Sequence, residues 1–597
     1  MCGIAGKINW KEPVDQDIVV RMCARISHRG PDDSGIINLG NVILGHKRLS
    51  IMDLSTKAKQ PMVSGDNRYF IVYNGEVYNF KELKEELQQS GVIFKTTSDT
   101  EVVMYAYVKW GVKSVEKFNG MFAFAIWDNL NKELFLARDR FGKKPLYYYL
   151  DHLKGIIFAS ELTAILEDKG VPTKISYEAV NCYLALGYIL SPKTLYKDIF
   201  KLEPASYMLI SDSGKNIRKV RYWNYAEKFN TKTAAKEPEI EENIISLFEA
   251  SVRRRMISDV PVGAFLSGGI DSSSVAALAK RNHQGELHTF SMGFEHKNYS
   301  ELSDAKRSAE WIGTVHHETI CSVKNNLGLV NNAIDAYDEP FADNSLIPMY
   351  ELAKFTSSYV KVVLSGDGAD EMFAGYITYK ADKYYNYARI MPKVIKRFLM
   401  HSMDFLPVSK YKKIDWRYKQ KQFFYGSLYS PEKAHYLWRL MFTPEDRINI
   451  LGEKYRELVY DTDPFFVFEK YYREASGLHW LDKNLYVDAM TWLPDDILVK
   501  VDRATMSHGI EARCPYLDVD FASYVASVPA NLKLNKFNSK YILKKALKNI
   551  LPEFILQKPK SGFNAPIGSW INTDGLDEFK AFTKYVFERK VTEYAAA

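Results

Sequence analysis

Residues 265–278 read FLSGGIDSSSVAAL. An apolar run ends at Phe265, two glycines turn the chain, and serines open a stretch of small, helix-compatible residues. A strand that passes through a glycine turn into a helix is the opening of a parallel-sheet unit. Backbone N–H groups at such a helix start form an anion site, and glycine lets the anion approach closely. The GxxxxGK[ST] spacing of the commonest phosphate loop is absent. Taken alone, SGG also reads as an ordinary strand-to-helix turn.

The flanking sequence extends the pattern. LHTFSMGF (287–294) reads as the next strand and SDAKRSAEWIG (303–313) as the next helix. VVLSGDGADEMFAGY (362–376) repeats strand, glycine loop and helix, and its loop carries Asp367, Asp370 and Glu371. Alternating strands and helices predict a parallel sheet covered on both faces, with both glycine loops at its C-terminal edge. An acidic loop by itself is usually a solvated turn. Opposite a phosphate loop, its carboxylates suit Mg²⁺, which prefers oxygen ligands and substrate phosphates. From about residue 376 onward the pattern is mostly helical and rich in Tyr, Phe, Trp and Lys.

Towards the N-terminus the pattern changes. NVILGHKRLSI, RYFIVYNGEVYNF, GMFAFAIWD and ELFLARDRF are strand-like runs punctuated by Gly, Asn and Asp. FKELKEELQQSG (80–91) is an amphipathic helix with Gly91 as its stop. Many strands with few helices predict sheets packed on each other. The polar segment YWNYAEKFNTKTAAKEPEI (222–240) lacks hydrophobic period. The division expected is a first domain over 2–215, a linker over 216–240 and a second domain over 241–597.

The totals fit this division. A chain of 597 residues exceeds one ordinary core. It is 46% hydrophobic and 26% charged, a globular composition. The net charge of +7 suits anionic small substrates, and no Lys/Arg block points to nucleic acid. The five cysteines, at 2, 23, 182, 321 and 514, form no CxxC and imply a reducing compartment. No signal peptide and no membrane-length apolar run is visible, so a cytoplasmic protein without a membrane partner is expected.

Cys2 precedes a glycine at the start MCGIAG. Methionine before a small residue is readily removed, which would place a thiol and a free α-amino group on one residue. A thiol needs a base to become a thiolate, and an adjacent amine can supply it. A cysteine near a terminus is also commonly a small buried hydrophobe. Asn74-Gly75 alone is a common hairpin turn.

MCGIAG, SHRGPDDSG (27–35), GHKRLSIMDLS (45–55), YNGEVYN (73–79), SDTE (98–101) and ARDRFGKKPLYY (137–148) occur in order. Together they resemble the class II glutamine amidotransferase domain, an N-terminal-nucleophile hydrolase. The SGGxDS stretch resembles the loop of ATP pyrophosphatases. With both halves present, the chain resembles the glutamine-hydrolysing asparagine synthetase family. The fold so implied is an α+β N-terminal sandwich in αββα layers. An α/β domain of the adenine nucleotide α-hydrolase kind and a largely helical C-terminal region follow it.

The resemblance implies a role for each matching residue. Cys2 matches the nucleophile, and Asn74 and Gly75 match the oxyanion hole. Arg48 matches the clamp on the glutamine α-carboxylate, and Glu76 and Asp99 match acceptors for its α-amino group. Ser267, Gly268, Gly269, Asp271, Ser272 and Ser273 match the pyrophosphate loop. Leu266, Met292, Ser365 and Gly366 match positions around the adenosine of ATP. Asp271 and Asp370 match the Mg²⁺ carboxylates, and Asp367 a catalytic position. In QKPKSGFNAPIGSW (557–570), Lys560 matches a catalytic lysine, with Lys558 as its rival. Glu511, Arg513 and Asp518 read as site architecture.

Three positions depart from the family pattern: Asp367 stands where some members have Glu, Ala374 where Gly is usual, and Lys558 where Arg is frequent. They leave the acceptor open. Aspartate is the family's expectation, and another carboxylate, such as a uronic acid sugar in surface polysaccharide synthesis, is the alternative. The expected cofactor is Mg²⁺ with ATP as substrate. The expected partners are small molecules, and a homodimer is left open.

Overall fold

The structure is a computed structural model. It describes residues 2–296, 298–322, 327–403, 416–560, 562–563, 565–571, 573 and 576–592. Met1, Ser561 and Asn564, which belong to motifs quoted above, lie outside the described residues.

The first half is built on two six-stranded sheets. In the first, strand Cys2–Asn9 lies between Gly155–Ala159 and Val42–Arg48, with every pairing antiparallel. In the second, Tyr69–Val77 pairs antiparallel with Gly120–Asp128, which pairs with Glu133–Arg138. Alternation along these strands sends one set of side chains between the sheets. Ile4, Ile8, Val42 and Leu44 from one sheet meet Phe70, Val72, Ala125 and Leu136 from the other there. The opposite faces bury against helices. Phe124 and Phe135 pack under Leu83 and Leu87 of helix Phe80–Gln89 and Val102 and Val103 of helix Asp99–Trp110. Val19, Met22 and Cys23 of helix Gln16–Arg25 cover the first sheet. The layers are therefore helix, sheet, sheet, helix.

The span 216–240 differs from an extended tether. Asn216–Arg221 is the edge strand of the second sheet, paired with Ser206–Ser211, and Ala226–Asn230 forms a short helix. The sequence NIRKVR hides its strand because Arg218, Lys219 and Arg221 put charge on both faces of an edge strand and break the apolar alternation.

In the second half, five parallel strands run in the order Val315–Cys321, His288–Phe294, Val262–Phe265, Val362–Leu364, Glu511–Arg513. The chain enters at the central strand, winds outward to one edge, then returns to the other side. The winding reverses between Val262–Phe265 and Val362–Leu364, so the crevice at their C-terminal ends is the switch point of the sheet. Both glycine loops leave from these two neighbours. The fifth strand, inside VDRATMSHGIEARCPYLD, is three residues long and carries no readable alternation. Beyond residue 369 the described chain is otherwise helical apart from a two-residue hairpin, Leu534–Asn535 with Asn538–Ser539. One apolar core runs from the helix-covered face of the first sheet through the second half. No helix among the described residues is long and apolar enough to cross a membrane.

Candidate active sites

Strand register builds the first site. Cys2 lies opposite Arg48 on the neighbouring strand. Its backbone N–H donates to Asn74 Oδ1 across the sandwich, at 3.1 Å. The amide of Asn74 is thereby oriented, and its Nδ2 is buried with no hydrogen-bond partner among the described residues. A buried donor left without an acceptor is rare in a folded protein. It suits an oxygen that acquires negative charge only during reaction. Gly75 follows directly. A Cβ there would run into the Met121 carbonyl and Phe122, so only glycine fits the close strand pairing. Burial pushes the Cys2 thiol above its ordinary pKa, so a nearby base is needed to ionise it.

Asp99 opens a helix capped by Ser98, and its carboxylate accepts from Tyr73 Oη at 2.7 Å and the Val77 N–H at 2.9 Å. Burial pushes Asp99 up to about 6. Glu76 is raised well above the usual range, first by burial and then by the negative charge of Asp99. Two desolvated carboxylates that repel each other favour an incoming cation. Arg48, by contrast, donates to the backbone carbonyls of Met52, Asp53 and Ser55. In this structure it braces the loop beside Cys2, and its fork is already engaged.

Charge builds the second site. The helix Ile270–Arg281 starts at the SGG turn, and the Ser267 N–H donates to Ser272 Oγ at 3.0 Å. Gly268 takes a φ of +70°, and a Cβ there would meet the Asp304 backbone at 2.6 Å. A Cβ on Gly366 would stand 3.0 Å from the Ser272 nitrogen, so the two loops touch. Leu266, just past strand Val262–Phe265, and Met292, on the adjoining strand, are both buried, and the Ser291 hydroxyl donates to the Leu266 carbonyl. Ser365 donates its hydroxyl to Asp367, whose carboxyl burial raises.

Four side chains converge here. Lys540 Nζ lies 2.5 Å from Asp271 and 2.6 Å from Asp370. Lys560 Nζ lies 3.5 Å from Asp271 and 2.5 Å from Asp370. Burial would raise Asp370, yet the two ammonium groups hold it well below the usual carboxylate range. Lys558 lies on the other side of the glycine loop, donating to the Ser267 carbonyl at 3.4 Å and lying 2.9 Å from Asp304. Among the described residues no cluster of three or more His, Cys, Asp or Glu side chains could hold a metal. Asp271 and Asp370 offer two hard oxygen donors on facing loops. That matches how Mg²⁺ is held, by one or two carboxylates with substrate phosphates completing its shell.

Sequence reading missed the roles of three residues, Lys540, Arg29 and Asp502. Lys540 sits in FNSKYILKK, where nothing but its left-handed backbone, φ +57°, marks it. Arg29 lies inside the quoted SHRGPDDSG. Its guanidinium donates to the Cys2 carbonyl at 3.3 Å, to Glu161 at 2.9 Å and to Asp502 of the second half at 2.9 Å. Asp502 stands on helix Leu498–Met506, whose Arg503 pairs with Glu161 at 2.8 Å. Arg513 extends from the fifth strand to within 3.6 Å of Glu76. Such contacts, hundreds of residues apart, have no local signal.

The fold and its two sites define a class: an amidotransferase unit with an N-terminal cysteine, joined to a synthetase unit with a nucleotide loop. A family model described as glutamine amidotransferase domain matches residues 1–223, and one described as asparagine synthase matches residues 243–582. The chain is 34% identical over 579 residues to glutamine-hydrolyzing asparagine synthetase 1 of Bacillus subtilis (strain 168), covering 96% of this chain and 88% of that protein. It is 31% identical over 593 residues to asparagine synthetase 3 of the same organism, covering 94% and 87%. A glutamine phosphoribosylpyrophosphate amidotransferase from B. subtilis is among the similar solved structures, at TM-score 0.30 and 15% identity, covering 54% of this chain and 91% of that one. The chain belongs to the glutamine-hydrolysing asparagine synthetase family.

Proposed function

We propose that this protein makes asparagine from aspartate, glutamine and ATP at two sites. With Met1 removed, the Cys2 amine takes the thiol proton and the thiolate attacks the glutamine side-chain amide carbon. Asn74 Nδ2 and the Gly75 N–H receive the oxyanion. The C–N bond breaks, the nitrogen leaves as ammonia with the transferred proton, and water hydrolyses the thioester to glutamate. Glu76 and Asp99 hold the glutamine ammonium.

At the second site the aspartate side-chain carboxylate attacks the α-phosphorus of ATP. Pyrophosphate leaves against the N–H groups of 267–273 and Lys560. Ammonia then attacks the acyl carbon and AMP departs. Mg²⁺, held by Asp271 and Asp370, would neutralise phosphate charge. Lys540 and Lys560 fix the two carboxylates in place, and Lys560 also faces the reacting groups. Ammonia released into water would protonate and lose its nucleophilicity, so transfer along the buried contact between the halves follows. A cavity there is lined by Arg138, Leu146 and Tyr147 from the first half and by Leu498 and Asp502 from the second. The enzyme is cytoplasmic in this reading.

The observation that carries the proposal is the pair of facing carboxylates and lysines at the sheet's switch point, on the same chain as Cys2 and the unpartnered Asn74 amide. Family membership supports aspartate over a uronic acid as acceptor. The test is product analysis by mass spectrometry with MgATP, glutamine and either aspartate or a panel of uronic acids. Asparagine, glutamate, AMP and pyrophosphate in equal amounts are expected with aspartate. Turnover only with a uronic acid would keep the chemistry and replace the acceptor.

A further inference from the structure

Trp492 precedes, and Asp496 lies within, a widened, π-type turn at Leu493–Ile497, a local geometry that recurs at functional sites. Trp492 Nε1 and Asp496 Oδ1 are buried and have no hydrogen-bond partner among the described residues. A third such atom, Tyr188 Oη, comes from the first half. The rings of Tyr188 and Trp492 meet edge to face at 5.7 Å. The negative charge of Asp496 acts on the Tyr188 phenol, and Asp343, Lys500, Arg439 and Glu371 in turn act on Asp496. Two unused donors and one unused acceptor therefore lie on this turn and on the ring packed against it. Native proteins pair such groups, so an absent ligand or water belongs there.

This turn adjoins the second site. The Tyr376 hydroxyl donates to Glu371 at 2.6 Å, and the Tyr376 ring lies 6.5 Å from Trp492. Glu371 follows Asp370, which Lys560 holds. The Arg439 guanidinium lies 4.8 Å from the Trp492 ring and is paired with the Asp488 carboxylate.

We infer that Asp496, Trp492 and Tyr188 bind the α-amino-acid head of the acceptor. Asp496 accepts from its ammonium group, and Trp492 Nε1 and Tyr188 Oη donate to its α-carboxylate. The side-chain carboxylate then extends towards Asp370 and Lys560. This rests on the aspartate reading above and supplies its specificity. A uronic acid has no ammonium to satisfy Asp496.

The test uses the full chain and steady-state kinetics. Asp496→Asn raises KM for aspartate about 10–100-fold, the loss expected for one charged hydrogen bond. Trp492→Phe, which keeps the ring, raises it about 3–10-fold. KM for ATP and for glutamine stays within about twofold. Asp496→Asn leaves the melting temperature close to wild type, because burial already favours the protonated, uncharged carboxyl. A merely structural carboxylate would lower it. If wild type turns over aspartate and both variants keep its KM for aspartate, the pocket is overturned alone. If wild type ignores aspartate and uses a uronic acid, the aspartate reading falls and the pocket with it. Should Asp496→Asn fail to fold, Trp492→Phe and Tyr188→Phe read the same KM.

Discussion

The two sites are held by different forces. At the first, strand register places Cys2 opposite Arg48 and within one hydrogen bond of Asn74. At the second, two loops present Asp271 and Asp370, and two lysines from distant segments hold them together. A site built on register loses chemistry when a side chain is cut, while its scaffold stays. A site built on opposed charges loses geometry too, because removing one partner strands a buried ion.

Cys2→Ala gives the largest effect. Glutamine-dependent synthesis falls about 10⁴-fold or more, while ammonia-dependent synthesis and melting temperature stay close to wild type. Loss of the ammonia-dependent reaction as well would break the separation of the sites. Lys560→Ala lowers synthesis about 10²–10³-fold with either nitrogen source and spares glutaminase activity, measured as glutamate release. Asn74→Ala is the mirror case, with glutaminase activity down about 10²–10³-fold and ammonia-dependent synthesis intact.

Lys540→Ala sharpens the contrast. It leaves Asp271 and Asp370 facing each other with one cation, so it lowers unfolding free energy by about 3 kcal/mol in addition to reducing synthesis. Denaturant unfolding reads this, and an unchanged midpoint would contradict the charge-built description. The smallest effect is in pH. Asp99, pushed up to about 6 by burial, accepts from the glutamine ammonium only when ionised. KM for glutamine therefore rises as pH falls through about 6, by up to about tenfold per unit, and Asp99→Asn flattens the profile. The sign is fixed because protonation of Asp99 removes the acceptor while the glutamine ammonium stays protonated.

The same contrast explains what the sequence made legible. Short-range patterns were readable: the strand–glycine–helix punctuation at 265–278 and 362–376, and the alternating runs of the first half. So were groups inside contiguous motifs, such as Asn74 beside Gly75. Lys540, Arg29 and Asp502 were not, because each acts through a partner far away in the chain. Arg48 matched a substrate clamp in sequence, yet its guanidinium is spent on loop carbonyls here. A motif fixes which side chain is present, and packing decides where its donors point.

The central claim is that one site makes ammonia for the other. Glutamine labelled with ¹⁵N in its amide, supplied with MgATP, aspartate and an excess of unlabelled ammonium, tests it directly. Asparagine enriched in ¹⁵N far above the bulk ammonia pool, as read by mass spectrometry, is the result predicted. Asparagine whose label merely equals that of the bulk pool would contradict it.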